Sequence, residues 1–290
     1  MMGTFSNRAG MEIIGADFSR IGKLVLTTVF RLPPALRETL LFGKSRFCLP
    51  LQKLLVRLLG GAYMVETRFT DGPMTGNSFA CWTSEKYFML GSHVETDAQE
   101  KLGKVIHPGE VVYDIGGHAG YMSMLFASLV GPTGRVFTFE PSPVNYPRVR
   151  RNIEANRMAN VMVVNAAVSD QEGVARFQEA GTMSKIVAAD GAGDAATAHV
   201  RTLRLDDFTY GESHPLPDFL KLDIEGHAGA ALGGMTRILA ERHPRILCEL
   251  HDPHEEHLVT TILTAHGYNF EPLDQDYTFP RRIIATADAR

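Results

Sequence analysis

The stretch Val111–Gly120, VVYDIGGHAG, limits what this chain can become more than any other. Val111 to Ile115 is apolar but for Asp114, and Gly116, Gly117 and Gly120 follow at once. A short apolar run broken by clustered glycines predicts a buried strand that turns sharply into a helix. Phe137–Pro141, FTFEP, predicts the end of a second strand, with Glu140 at its tip. Strand, glycine turn, helix, strand and terminal acid make half of a nucleotide-binding βαβ unit. In such a unit the glycines let backbone approach a ligand, and the acid accepts hydrogen bonds from two ribose hydroxyls.

The glycine spacing selects the ligand. A dinucleotide fingerprint needs glycine at i, i+2 and i+5. Counted from Gly116, those places hold His118 and Tyr121; counted from Gly117, they hold Ala119 and Met122. Nicotinamide chemistry is therefore a poor reading. An acid two residues ahead of a clustered glycine turn suits S-adenosylmethionine (SAM) instead. SAM has no pyrophosphate for a helix N-terminus to hold, but it carries a sulfonium and an α-ammonium, for which a nearby carboxylate makes sense.

The chain around this unit alternates regularly. Strands are predicted at Val111–Ile115, Arg135–Glu140, Val161–Val168, Asp218–Ile224, Arg245–Leu250 and Tyr268–Pro272. Helices are predicted at Tyr121–Val130, Pro143–Asn156, Ala228–Glu241 and Pro253–His266. That alternation implies an α/β fold with a doubly wound, mostly parallel sheet covered on both faces. Arg281–Ala287 has no helix before it and so predicts an antiparallel last strand. Gly173–Phe177 and Val200–Leu205 read as further strands, and Ala188–Ala198 as a surface loop.

The first 90 residues predict an N-terminal extension of helices and a hairpin, ahead of a main domain over 91–290. Met1 to about Phe18 shows no firm period and predicts a frayed or partly helical start. Ile21–Leu32 and Ala35–Leu59 predict helices, the second bent near Gly43 or Pro50. Ala62–Phe69 and Ser78–Trp82 predict a hairpin, and Ser84–Leu90 a short helix capped by Ser84. In Leu51–Leu59 the leucines and Val56 recur at helical spacing, with Lys53 and Arg57 placed on the opposite side. One reading is a basic amphipathic element for a membrane surface or a partner, a second copy included. The other is a helical subdomain that packs on the main domain or covers its substrate site. The width of the apolar face favours the latter.

Composition narrows the function classes. Hydrophobic residues make up 44% and charged residues 21%, an ordinary globular mixture. No apolar run approaches the roughly twenty residues of a membrane span, and Leu24–Phe30 is stopped by Arg31. No signal peptide is expected. Cys48, Cys81 and Cys248 form neither a disulfide framework nor a zinc spacing, which implies a reducing, cytoplasmic setting, and the basic N-terminal helices add peripheral membrane contact as a further reading. The net charge is −4, yet residues 1–60 hold nine Lys/Arg against three Asp/Glu, leaving twenty against thirty elsewhere. An acidic body argues against nucleic acid as a partner.

A second set of charges lies near predicted strand ends. Period two puts Lys221, Asp223 and Glu225 on one side of a strand, and Glu249 and His251 share a side at the end of the next. Charges there are costly unless used or paired. Ligands of doubly wound sheets bind at carboxyl strand ends, so these residues can converge with Asp114 and Glu140.

Five motifs occur in order: Asp114-Ile115-Gly116-Gly117-His118-Ala119-Gly120-Tyr121, Phe139-Glu140-Pro141, Asn165-Ala166-Ala167-Val168-Ser169, Leu205-Asp206-Asp207-Phe208 and Lys221-Leu222-Asp223-Ile224-Glu225-Gly226. With Glu249 they resemble the FkbM-type SAM-dependent methyltransferases over about Gly91 to Pro272. The resemblance implies a class I methyltransferase fold of seven strands and O-methylation of a hydroxyl on a small molecule, sugar or natural product. It also implies that Asp114, Gly116 and Gly120 shape the methionine end of the cofactor pocket, that Glu140 holds the ribose diol, and that Ala167 and Val168 lie by the adenine. Gly117, His118, Tyr121, Pro141, Ser142 and Asp223 complete the expected cofactor set.

A hydroxyl is a poor nucleophile until its proton is taken. The candidate bases are Asp223, Glu225, His227 and His251, with Asp223 and His251 as the leading pair; Lys221 can orient an acceptor oxygen, and Glu249 adjoins the pair. No metal belongs to this expected set. Alternatives are a divalent ion held by Asp223, Glu225, Glu249 and His251, or a non-catalytic SAM-fold module. His254, Glu255, Glu256 and His257 are expected on an exposed helix without a catalytic part.

Overall fold

Val65, Thr67 and Phe69 are buried and alternate with exposed Glu66 and Arg68, the pattern of a strand with one covered face. That strand belongs to the first of two compact units in a computed structural model that describes residues 5–7, 11–14, 20–42, 48–94, 96–179, 185–187, 197–273 and 278–287. One unit is Met1–Lys104 with Glu154–Asn156; the other is Val105–Ile153 with Arg157–Arg290.

The first unit holds β1 (Phe5–Asn7), β2 (Met11–Ile14), α1 (Arg20–Phe30), α2 (Pro34–Phe42), α3 (Cys48–Leu58), β3 (Met64–Phe69), β4 (Ser78–Trp82), α4 (Lys86–Leu90) and α5 (Thr96–Val105). β1 to β4 form an antiparallel sheet in sequence order. The expected frayed start is thus partly strand. Segments of three and four residues are too short to show a period, and the free edge of β3 recruits them. Ser84 is not the cap of α4: the cap position is Glu85, and its side chain makes no capping bond. Leu51, Leu54 and Leu58 of α3 face solvent together with Lys53 and Arg57, while Leu55 and Leu59 are buried. The basic side chains therefore share a side with three leucines, contrary to the expectation from spacing.

The second unit continues with β5 (Val111–Ile115), α6 (Tyr121–Val130), β6 (Arg135–Phe139), α7 (Asn145–Ala155), β7 (Val161–Val164), β8 (Ala167–Val168), β9 (Gly173–Gln178), β10 (Lys185–Val187) and β11 (Thr197–Leu203). After a π-helical turn at Asp207–Gly211 come β12 (Phe219–Leu222), α8 (Ala228–Gly233), α9 (Thr236–Glu241), β13 (Arg245–Leu250), α10 (Pro253–Ala265), β14 (Tyr268–Pro272) and β15 (Arg281–Ala287). Seven strands pair in the order β14-β15-β13-β12-β5-β6-β7. Only β15 runs antiparallel to its neighbours. This is the expected class I methyltransferase sheet. Strand order reverses between β5 and β12, which creates the switch-point crevice where such sheets bind ligands.

Several elements depart from their predicted bounds, among them the helix expected over Ala35–Leu59, which is two helices, α2 and α3. The strand expected over Val161–Val168 breaks at Asn165, whose amide donates to the carbonyl of Glu140 at 3.0 Å. β7 stays in the large sheet, while β8 leaves it to join a second sheet of order β10-β9-β11-β8. The helix expected over Ala228–Glu241 breaks at Gly234, where a Cβ would lie 1.9 Å from the Ser169 carbonyl oxygen. The strand expected to reach Ile224 ends at Leu222, so Glu225 is off the strand, at a φ of 36°. Residues 188–196 of the expected loop lie outside the described residues, and Thr197 and Ala198 belong to β11.

Candidate active site

The apolar run of β5 buries Asp114 completely at the switch point, opposite Lys221 of β12 in the sheet register. Ser123 of α6 donates to Asp114 Oδ2 at 2.6 Å, and the Lys221 ammonium stands 3.3 Å from Oδ1. Burial pushes the Asp114 carboxyl up, while Lys221 and Ser123 pull it back. Lys221 is itself 7% exposed; it donates to the Gly116 carbonyl at 3.1 Å and stands 3.3 Å from Asp223 Oδ2. Gly116 has a φ of 89°, and a Cβ there would lie 2.0 Å from the Asp223 carbonyl oxygen. The space that glycine frees is therefore filled by the neighbouring strand end. The turn of β5 and the end of β12 are locked together.

Glu140 sits just past β6 and is 4% exposed. Its Oε2 accepts from the His118 backbone N–H at 2.7 Å and its Oε1 from the Ser142 N–H at 2.9 Å. Burial pushes its carboxyl up to about 7, against the downward pull of those two bonds. Each oxygen has accepted one bond and keeps acceptor capacity for another. Ser142 Oγ accepts from the Val144 and Asn145 N–H groups, which caps α7, and donates to Glu179 at 2.7 Å. Glu179 follows β9 in the second sheet, and no spacing in the sequence announces it. Pro141 lies beside this acid in a turn that Asn165 braces. Ala167 and Val168 are buried in β8 against β11. Tyr121 is buried in the first turn of α6. Gly120 caps α6 at a φ of 88°, and Gly117 packs so closely that a Cβ would lie 2.4 Å from Thr138 Cγ2.

The second cluster gathers around His251, which follows β13. Its Nε2 lies 3.7 Å from Asp223, 3.5 Å from Glu225 and 3.7 Å from Glu249, too far for direct hydrogen bonds. Its Nδ1 lies 3.1 Å from Glu255 Oε2, which also accepts the His251 backbone N–H at 2.9 Å. Burial alone would lower the imidazole; the Glu255 bond and the three carboxylates outweigh it and raise His251 to about 9. Burial pushes Glu225 up as well. His227 turns instead to Ser169 Oγ, at 3.1 Å, and burial lowers its imidazole.

Glu255 corrects the expectation of an exposed helix. It is 3% exposed, and its Oε1 accepts the Ala228 N–H at 3.1 Å, so it ties α8 to His251. Burial would raise its carboxyl, but the His251 and Ala228 bonds hold it low. A signal was present in the sequence. Asp252 caps α10, Pro253 opens it, and Glu255 stands at the third position, where a capping-box acid reaches back toward preceding N–H groups.

The structure thus brings Asp114, Lys221 and Asp223 together, and Asp223, Glu225, Glu249 and His251 together, with Asp223 common to both. The ligand atoms of Asp223, Glu249 and His251 all lie within 4.8 Å of one another, close enough to share a metal ion.

The sequence profile of the methyltransferase FkbM domain matches residues 114–270. The chain is 27% identical over 219 residues to 31-O-demethyl-FK506 methyltransferase FkbM of Streptomyces tacrolimicus, covering 65% of this chain and 83% of that one. It is 25% identical over 195 residues to hexuronic acid methyltransferase AglP of Haloferax volcanii, covering 65% of this chain and 77% of that one. Among solved structures, a methyltransferase FkbM from Methylobacillus flagellatus KT matches with a TM-score of 0.47 at 18% identity. The match covers 70% of this chain and 54% of that one, so this chain spans about half its length.

Proposed function

The chain belongs to the FkbM methyltransferase family, whose cofactor is SAM, and from that premise we propose that it methylates an uncharged hydroxyl of a small molecule, sugar or natural product. The charge around His251 carries this reading. Asp223, Glu225 and Glu249 surround its Nε2, and Glu255 holds its Nδ1. Lys221 is engaged by Asp114, Asp223 and the Gly116 carbonyl. Such a cluster of carboxylates repels a carboxylate or phosphate acceptor and suits a neutral polyol.

The residues present fit SAM. Glu140 is buried yet retains acceptor capacity on both oxygens, as a ribose diol requires. The SAM sulfonium supplies an electrophilic methyl group. Acidic strand ends favour that cation, and the turn at Gly116–Gly120 would hold its amino-acid end. The protein's main task in an in-line displacement is positioning.

Raised to about 9, His251 holds its proton at neutral pH. We therefore assign Asp223 as first acceptor of the hydroxyl proton, with the His251 imidazolium offsetting the carboxylates around it. Asp223 is the most open of them, its side chain 36% exposed. Lys221 braces its other oxygen. These residues all belong to the second compact unit, Val105–Ile153 with Arg157–Arg290.

Incubation with labelled SAM and separated neutral and anionic metabolite fractions tests the reading. Mass spectrometry should find the gain of one methylene in the neutral fraction, and gain only in the anionic fraction refutes it. Asp223→Asn should lower kcat about 100-fold or more, and unchanged kcat removes Asp223 as the base. A second reading rests on the compact Asp223, Glu249 and His251 set. A divalent ion there would take the place of the His251 proton and acidify the hydroxyl. Loss of activity in excess chelator, restored by added ion, favours that reading.

A further inference from the structure

Helices α1 and α3 each turn an apolar stripe outward. On α1, Ile21 and Leu24 are 62% and 68% exposed, while Gly22, Leu26 and Phe30 face inward. Arg20 and Arg31 are exposed on the flank of the Ile21–Leu24 side. On α3, Leu51, Leu54 and Leu58 recur on the exposed face, with Lys53 and Arg57 exposed beside them. α2 adds exposed Leu36 and Leu40, one turn apart. Isolated exposed leucines need no explanation, but three successive helices with outward apolar positions call for a covering partner.

Charge identifies that partner. Arg20, Lys23, Arg31, Lys53 and Arg57 are all exposed here, Arg37 is buried, and residues 20–59 hold a single acid, Glu38, in a chain whose remainder is acidic. A second copy of this surface would bring like charges face to face across a two-fold interface. A nucleic acid would leave the leucines unused. An anionic bilayer surface satisfies both features: leucine and isoleucine enter the acyl boundary while Lys and Arg meet lipid headgroups. α1 and α3 have eleven residues each, and no described helix is long and apolar enough to cross a membrane. We propose that helices α1–α3 form a peripheral docking surface for anionic lipid bilayers, lying on the membrane rather than spanning it.

Vesicle flotation of the full chain tests this with phosphatidylcholine alone and with phosphatidylcholine containing phosphatidylglycerol, at low and high salt. Binding is expected only with the anionic lipid, weakening as salt rises. Lys53→Gln with Arg57→Gln should lower the partition coefficient about 25-fold, near fivefold for each charge. Leu24→Glu with Leu54→Glu should lower it at least about tenfold. Both pairs are exposed, so circular dichroism should be unchanged. Failure of the wild type to float with anionic vesicles at low salt overturns the proposal, as does equal binding to neutral vesicles. A stable dimer in light scattering that Leu24→Glu with Leu54→Glu dissociates would also overturn it and make the surface a self-association face.

Discussion

Glu140 is the residue whose proposed role is most exposed to measurement. It is nearly fully buried and accepts two backbone N–H groups, yet burial still raises it to about 7. Its ordinary value is 4.5, so the rise corresponds to about 3 kcal/mol between folded and unfolded chains. The sign follows from the raised value. This contribution to stability is fully present below 4.5 and is lost as pH rises through about 7, where the buried carboxyl must ionise. SAM binding should run the other way, because a carboxylate accepts from the ribose diol better than a carboxylic acid does. If only the ionised form holds the diol, affinity falls about tenfold between pH 8 and pH 6. Glu140→Gln removes the titration, weakens a charge-assisted bond and turns an amide N–H toward one of two N–H donors. SAM Kd should rise about 10- to 100-fold at pH 8.

Calorimetric titration of SAM into both proteins across that pH range is the assay. The ligand's own α-ammonium titrates near pH 8, so the ratio of the two affinities isolates the carboxylate. The ratio should shrink about tenfold on going from pH 8 to pH 6. A constant ratio would falsify the assignment of Glu140 to the ribose, even if Glu140→Gln binds weakly at every pH. A uniform loss would mean that Glu140 only braces the turns at His118 and Ser142.

Two further outcomes follow from the same geometry. Glu255→Gln should lower kcat and the pH at which His251 titrates while leaving SAM Kd unchanged, because Glu255 touches His251 and Ala228 rather than the Glu140 side; NMR of the imidazole reads the titration, and an unchanged His251 would remove Glu255 as its support. Asp206 accepts from the Arg237 and Ile238 N–H groups at 2.9 and 3.0 Å and so caps α9 from another segment; Asp206→Ala should cost about 1–2 kcal/mol in urea unfolding, and equal stability would show that water serves those N–H groups as well.

How much could be read beforehand depended on whether a feature was local. β5, the glycine turn and Glu140 were legible because an apolar run, a cluster of glycines and an acid lie within thirty residues of one another. The mostly parallel sheet followed from alternating strands and helices, whereas the order reversal beside Asp114 came only with the strand pairing. The break at Asn165 was not legible, because its cause is a hydrogen bond to Glu140, distant in sequence. The break at Gly234 likewise comes from the Ser169 carbonyl packed against it. Period two placed Glu225 on a strand that stops three residues earlier. Glu225 still reaches His251, through a left-handed turn rather than through the pleat. Glu255 looked like one more charge on a polar helix. Only the packing of α8 over the start of α10 makes it a buried ligand of His251. In α3 the leucine spacing was visible, but which leucines would find a neighbour was not.

Lys221 connects the two halves of the site, and the connection makes a prediction that neither half makes alone. It faces Asp114 on the cofactor side and Asp223 on the acceptor side, each at 3.3 Å. Lys221→Met strands the fully buried Asp114 with Ser123 as its remaining hydrogen-bond donor, and breaking such a pair costs about 3–5 kcal/mol. Asp114→Asn is milder, because Lys221 keeps Asp223 and the Gly116 carbonyl. In the double variant the stranded charge is gone, so the two losses should fall short of additive by about 2 kcal/mol in urea unfolding. The double variant should nevertheless remain impaired in both SAM Kd and kcat. Lys221 also pins the Gly116 carbonyl, and the Asp223 backbone fills the space above Gly116, so loosening one moves the other. Additive stabilities within about 0.5 kcal/mol would show that Asp114 and Lys221 are independent. A double variant with normal Kd and reduced kcat would show that the turn and the acceptor carboxylate move separately.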